Sequence, residues 1–189
     1  MKHTYQNVRP SWFLVPSLIV SVFLSVFSTQ VVAEPVSPAL KETVNEYQKK
    51  LAEWAKDPIL VNAIKKANSS STPKLDNAIW KGISKSDPVA LSYQTSSAGR
   101  LLTKLQKDKR IGKLFLRDKS GNLVAGSKKP AVFNIADRPP YINAMRGKQW
   151  AANKSKSDPT TKLQSVQAAT PIMLNGEVIG VLHTSVIAQ

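Results

Sequence analysis

The chain contains no cysteine, which removes disulfides as a stabilising framework and thiolates as nucleophiles or metal ligands. Histidine is almost as scarce. Of the two present, His3 and His183, the first falls in the N-terminal leader described below, so a nucleophile with its base and an orienting acid has too few parts. No HExxH, no glycine-rich phosphate loop and no run of carboxylates at helical spacing occurs. An enzyme is therefore not expected, nor a metal site, and no cofactor is implied. Acidic residues are few as well: 12 Asp and Glu stand against 27 Lys and Arg, a formal net charge of +15. Without cysteines, stability has to come from one packed core, and the chain is long enough to build it.

What is present begins with a leader. Lys2 and Arg9 are followed by an almost wholly apolar stretch from Trp12 to Phe27, and Val31-Val32-Ala33 ends in small residues before Glu34-Pro35. Residues 1–33 read as a secretory signal peptide cleaved after Ala33, leaving 34–189 as a single domain outside the cytoplasm. The alternative is an uncleaved anchor, because no charge stands between Arg9 and Glu34 and the run can span about 30 Å of hydrocarbon. In both cases the remainder is exported, to the periplasm, with the basic flank staying inside. Removing Lys2 and Arg9 leaves 25 basic against 12 acidic residues, a net +13.

Four sites pair a capping residue with proline: Ser37-Pro38, Asp57-Pro58, Thr72-Pro73 and Asp87-Pro88. A side-chain oxygen there accepts from an orphan helix N–H and proline has none to satisfy, so each predicts a helix start. In the first helix Leu40, Val44, Tyr47, Leu51 and Trp54 form a narrow apolar seam, which seats either on the domain's own sheet or on a second copy as a homodimer. The second helix shows Leu60, Ile64 and Ala67 on one face, the third Leu75, Ile79 and Ile83, and the fourth ends in Ala98, Leu101, Leu102 and Leu105. After Arg110 the pattern turns to strands. IGKLFLRD, the turn KSG and NLVAGS predict one hairpin; LQSVQAATPIML, the turn NGE and VIGVLHTSVIA predict another, with Asn175-Gly176 as the strongest turn signal. Helices followed by antiparallel strands make an α+β domain with helices on one face of the sheet.

In this order, WAKDPILVNAIKKAN, LFLRDKSGNLVAGS, DRPPYINAMRGK and VQAATPIMLNGEVIGVLHTSV resemble the Cache (PDC) extracytoplasmic sensor domains of bacterial receptors. The resemblance implies a PAS-like antiparallel sheet with a long N-terminal helix and a small-molecule pocket between the sheet and the loops that cross it. Small metabolites such as carboxylates and amino acids are the ligands it implies. The sequence departs from those receptors by stopping at Gln189 with no following membrane helix or output module, which leads to the expectation of a freestanding domain that reports to a membrane receptor or kinase.

The stretch IADRPPYINAMRG falls where the family places its pocket-forming loop and short helix. Arg138 offers a planar fork for a carboxylate and Tyr141 an aromatic wall with a hydroxyl; Asp137 suits a ligand amine, or else caps the helix that Pro139 and Pro140 open. Phe133 and Trp150 can floor and lid a site, or belong to the core. On the last strand His183 shares a face with Val181 and Ser185 while Leu182, Thr184 and Val186 share the other. The more apolar set is expected to meet the core, leaving His183 exposed, helix-covered or lining a cavity, opposite Ala169 or Thr170. From Ala98 to Lys129 ten basic residues, Arg117 among them, stand against Asp108 and Asp118, a local +8. That field either steers an anionic ligand or holds the protein to an anionic envelope surface or receptor without any small ligand. Nucleic acid is not an expected partner, since the chain is exported and no aromatics interleave with the basic run.

Overall fold

A computed structural model describes residues 34–70, 75–157 and 163–188; the leader and the Thr72-Pro73 pair lie outside them. Five of the helix starts rest on side-chain caps. Ser37 accepts from the Leu40 N–H ahead of α1 (Pro38–Trp54), Asp57 from Ile59 ahead of α2 (Pro58–Ser69), Asp76 from Ile79 ahead of α3 (Asn77–Gly82), and Asp87 from Val89 ahead of α4 (Pro88–Thr95). The third helix thus starts on Asp76, and the residue it buries is Trp80, not Ile79, which is 51% exposed. The expected fourth helix is broken in two. Ser96 caps a new helix, α5 (Ser97–Leu105), by accepting from Gly99, and a Cβ on Gly99 would lie only 2.4 Å from the Tyr93 carbonyl oxygen.

The strands are β1 (Glu34–Pro35), β2 (Ile111–Arg117), β3 (Leu123–Gly126), β4 (Trp150–Ala151), β5 (Lys154–Ser157), β6 (Gln164–Leu174) and β7 (Glu177–Ile187). A last helix, α6 (Pro139–Met145), precedes β4. The strands form one antiparallel sheet in the order β1-β5-β6-β7-β2-β3, with β4 also on β6. Both expected hairpins are present, and their turns use positive φ where the sequence allows it: Gly121 at +84°, Asn175 at +50° and Gly176 at +84°. Among the described residues no helix is long and apolar enough to cross a membrane.

The main core lies on one face of this sheet. Leu114, Leu116, Val166, Ala168, Ile172, Leu182 and Val186 point into it and meet Val44, Tyr47 and Leu51 of α1, Leu60 and Ile64 of α2 and Leu102 of α5. The seam of α1 is therefore seated on the domain's own sheet. Tyr47 fixes it there: its hydroxyl donates to Asp108, 2.7 Å from both carboxylate oxygens, and Lys50 approaches the same group at 3.7 Å. Burial works to raise the Asp108 carboxyl, but the bonds from Tyr47 and the Arg110 N–H outweigh it and hold its pKa below the usual range.

Helices do not cover one face alone, as the element order suggested. The opposite face carries two smaller clusters: Trp80, Ala90, Phe115, Leu123 and Phe133 under α3 and α4, and Ile135, Tyr141, Ala144, Ala169 and Val181 under α6. Adjacent residues Ala168 and Ala169, or Val181 and Leu182, divide between the two faces as strand alternation requires.

Candidate functional site

The second face holds the residues of interest, and the loop from Ser127 to Arg138 places them. This loop runs back along β3: the Leu123 N–H donates to the Phe133 carbonyl, and the Ile135 N–H to the Gly121 carbonyl. Gly121 is required there twice over, by its positive φ and because a Cβ would lie 2.7 Å from the Ala136 nitrogen. Asp118 ties the hairpin turn, accepting from the Ser120 and Asn122 N–H groups and from the Asn122 side chain. Asn134 in turn donates to Ser120 O and Asn122 Oδ1. Helix α6 then packs on β6 and β7.

Tyr141, buried, donates its hydroxyl to the Lys119 carbonyl at 2.6 Å; burial, reinforced by the charge of Asp118, pushes its pKa up to about 12. Half-buried Trp150 packs against the same cluster, on β4 opposite Ala169. Phe133 is fully buried in an aromatic group, with ring centroids 5.4 Å from Trp80 and 5.9 Å from Tyr93. His183 lies opposite Ala169 on one side and Phe115 on the other, its ring 5.2 Å from that of Phe115. The structure therefore brings Phe133, Tyr141, Trp150 and His183 onto one face of the sheet.

Arg138 and Asp137 stand apart from that group. Their side chains are 56% and 76% exposed and pair with each other at 3.3 Å. Arg138 occupies the N-cap position of α6 and neither residue makes a side-chain cap bond there; two prolines already remove the donors a cap would satisfy. Under α6, Ile135, Tyr141, Ala144, Ala169 and Val181 pack together, and neither of two surface clefts, of about 290 and 170 Å³, is lined by these residues.

The residue that sequence reasoning assigned wrongly is Arg117. Counted within the basic surface run, it is in fact 1% exposed and sits between the two clusters of the second face. Its Nε donates to His183 Nε2 at 3.1 Å, Nη1 to the Phe133 carbonyl and Nη2 to the Val132 carbonyl at 3.4 Å. None of these acceptors is charged, and among the described residues no carboxylate lies within ion-pair distance of it. Burial, opposed by the nearby Asp118 charge, lowers its pKa to about 9. His183 serves as an acceptor and so is neutral; burial, then the charges of Arg117 and Lys113, hold its pKa well below the ordinary histidine value. A desolvated guanidinium held by two loop carbonyls on its Nη donors is chemically suited to a carboxylate. The signal was available in strand alternation, which sets Arg117 on the face of Phe115.

No protein-family model matches the chain, and no curated protein matches its sequence. Among solved structures, the sensor domain of the Vibrio cholerae histidine kinase DctB matches with a TM-score of 0.54 and 18% identity over 78% of this chain and 50% of that one. The sensory domain of the Campylobacter jejuni chemoreceptor Tlp3 with isoleucine bound gives 0.41 and 14% over 80% and 64%. The ligand-binding domain of the Pseudomonas aeruginosa amino acid chemoreceptor PctC in complex with GABA gives 0.40 and 14% over 78% and 61%. The chain spans about half the length of the DctB domain and under two thirds of the other two. It has the α+β fold of the DctB sensor domain, a Cache/PDC-type fold.

Proposed function

We propose that the protein is a periplasmic small-molecule-binding sensor domain that takes a small anionic metabolite beneath α6 and reports its occupancy to a membrane-bound receptor or kinase. The observation that carries this reading is Arg117: a buried guanidinium whose acceptors, two loop carbonyls and a neutral imidazole, are all replaceable by a ligand carboxylate. On entry the carboxylate takes the two Nη donors from Val132 and Phe133 as a bidentate pair. Tyr141 and Trp150 form the apolar wall, Phe133 the floor, and exposed Arg138 draws the anion to the rim, where Asp137 is placed for a ligand amine. Releasing the two carbonyls frees the loop from Arg117, so occupancy shifts the population between a closed and an open arrangement of loop and α6. The fold shared with the DctB sensor domain supports the assignment of this class of function.

The test is a thermal-shift screen of small carboxylates and amino acids, with Arg117→Met beside the native protein. A ligand at 100 times its Kd stabilises by about 2.7 kcal/mol, roughly 5–11 °C in a domain of this size. A hit retained in Arg117→Met, or no hit at all, removes the reading. A second reading, an envelope protein binding an anionic surface or receptor without a small ligand, is supported by exposed Arg100, Lys104, Lys107 and Lys109, whose one acidic neighbour in sequence, Asp108, is engaged by Tyr47. Such binding falls steeply with ionic strength, whereas a desolvated carboxylate on Arg117 is screened far less.

A further inference from the structure

Arg117 and His183 are two basic groups set side by side on one face of the sheet, Nε of the first donating to Nε2 of the second at 3.1 Å. Because Nε2 accepts, the imidazole is neutral and carries its hydrogen on Nδ1. Protonation there puts a second positive charge beside the guanidinium and turns the acceptor into a donor. The ionisable groups around the ring offer that charge no relief. β2 brings Arg117 and Lys113, and the charges acting on His183 are both positive; Asp118, after β2, accepts from Ser120 and Asn122. β6 has no ionisable residue and sets Ala169 opposite, and β7 has one besides His183, Glu177 at its far end. α6 contributes Tyr141, whose hydroxyl donates to the Lys119 carbonyl. α3 and α4 pack on the Phe115 side, where Tyr93 is the ionisable group they bring. In the loop from Ser127 to Arg138, Lys128 is exposed, Lys129 lies over the Trp80 ring, and Asp137 pairs with Arg138 at the surface.

We infer that the site under α6 takes up its carboxylate together with one proton from solvent, held on His183, and so responds to a small weak acid in its undissociated form. This linkage rests on Arg117 seating the anion, as proposed above, and adds the proton to it. An anion on Arg117 supplies what protonation lacks. Its charge neutralises the guanidinium, and its lone pairs, with those of the Phe133 and Val132 carbonyls it displaces, give the new Nε2–H acceptors. Coupling between two bound species is reciprocal, so acid tightens the anion by the factor by which the anion tightens the proton. The gain begins as pH falls through the His183 pKa of the complex and ends at that of the free protein, reaching at most about tenfold per pH unit. Within that window occupancy follows the product of anion and proton concentrations, which is proportional to the undissociated acid.

Acetate is the probe, because it is small and remains mostly ionised down to about pH 5.5. The full chain is titrated at several pH values while the ring resonances of His183, identified by their loss in His183→Gln, are followed by NMR. Acetate is expected to bind with a Kd on the order of 10 mM at neutral pH, to raise the proton affinity of His183 at least tenfold, and to bind at least fivefold tighter near pH 5.5 than near pH 7.5. His183→Gln flattens that profile and Arg117→Met abolishes binding. A Kd that depends on Arg117 but not on pH overturns the proton linkage and leaves the anion site standing. So does a profile equally steep in His183→Gln. No saturable response at any pH, or one retained in Arg117→Met, removes the anion site and the linkage with it.

Discussion

Replacing Arg117 by methionine is expected to make the protein more stable while abolishing anion binding. The buried guanidinium has a pKa of about 9, some 3.5 pH units below its ordinary value; at 1.36 kcal/mol per unit that places about 5 kcal/mol against the charged form in the folded state. Methionine fills a similar volume without the charge. It also orphans three acceptors. The Val132 carbonyl and His183 belong to half-buried residues, so the largest cost falls on the Phe133 carbonyl, about 1–3 kcal/mol. The difference is a gain of about 2–4 kcal/mol, or roughly 4–15 °C in Tm. Urea unfolding followed by circular dichroism at pH 7 measures it directly. The sign also has a pH signature. Above about pH 9 the folded native protein releases the Arg117 proton while the unfolded chain keeps it, so native stability rises and the gap to the variant closes. A structural arginine locking the loop behaves oppositely: Arg117→Met then destabilises by 2 kcal/mol or more, and that outcome refutes the functional account.

His183 gives a test in acid. Its folded pKa is depressed, so as pH falls below about 6.5 the unfolded state takes up a proton that the folded state refuses, and stability drops toward about 1.4 kcal/mol per pH unit; His183→Gln removes that slope, seen by comparing urea midpoints at pH 7.5 and 5. Gly121→Ala and Gly176→Ala share a φ of +84°, yet only the first sets a Cβ against Ala136. Gly176→Ala is expected to cost about 1–2 kcal/mol and Gly121→Ala more, with the excess reporting the loop contact; equal losses contradict it. Tyr47→Phe loses about 1.5–3 kcal/mol at pH 7 by breaking the bond to Asp108. Since Asp108 is held below its usual range, this contribution exists above about pH 4 and fades as the carboxylate protonates, so the variant and native curves converge in acid.

Local chemistry made much of the fold legible. Asn175-Gly176 and the KSG turn fix two hairpins because few residues take positive φ, and Ser37, Asp57 and Asp87 announce helices because their oxygens have orphan N–H groups to meet. The third helix misled because Leu75, Ile79 and Ile83 keep a helical spacing while Trp80, larger and bonded to the Pro130 carbonyl at 2.8 Å, takes the core. Which cations are buried was read less well for a different reason. Arg138 has the right chemistry beside Tyr141, but exposure depends on which way the chain enters α6. Arg117 looked like one cation among ten, and only the return of residues 132–135 along β3, a contact between distant segments, buries it.

The order of the strands has a consequence for how the chain comes to be folded. β7 stands between β6 and β2 and pairs with both along most of its length, yet it is the latest of the strands to be synthesised. Until residue 187 has left the ribosome, the β2–β3 hairpin and the β5–β6 pair are two separate edges with nothing to join them, and neither α1 nor α2 has a finished surface to seat on. A chain built this way cannot close its sheet until β7 is available, so the main core depends on the last strand described.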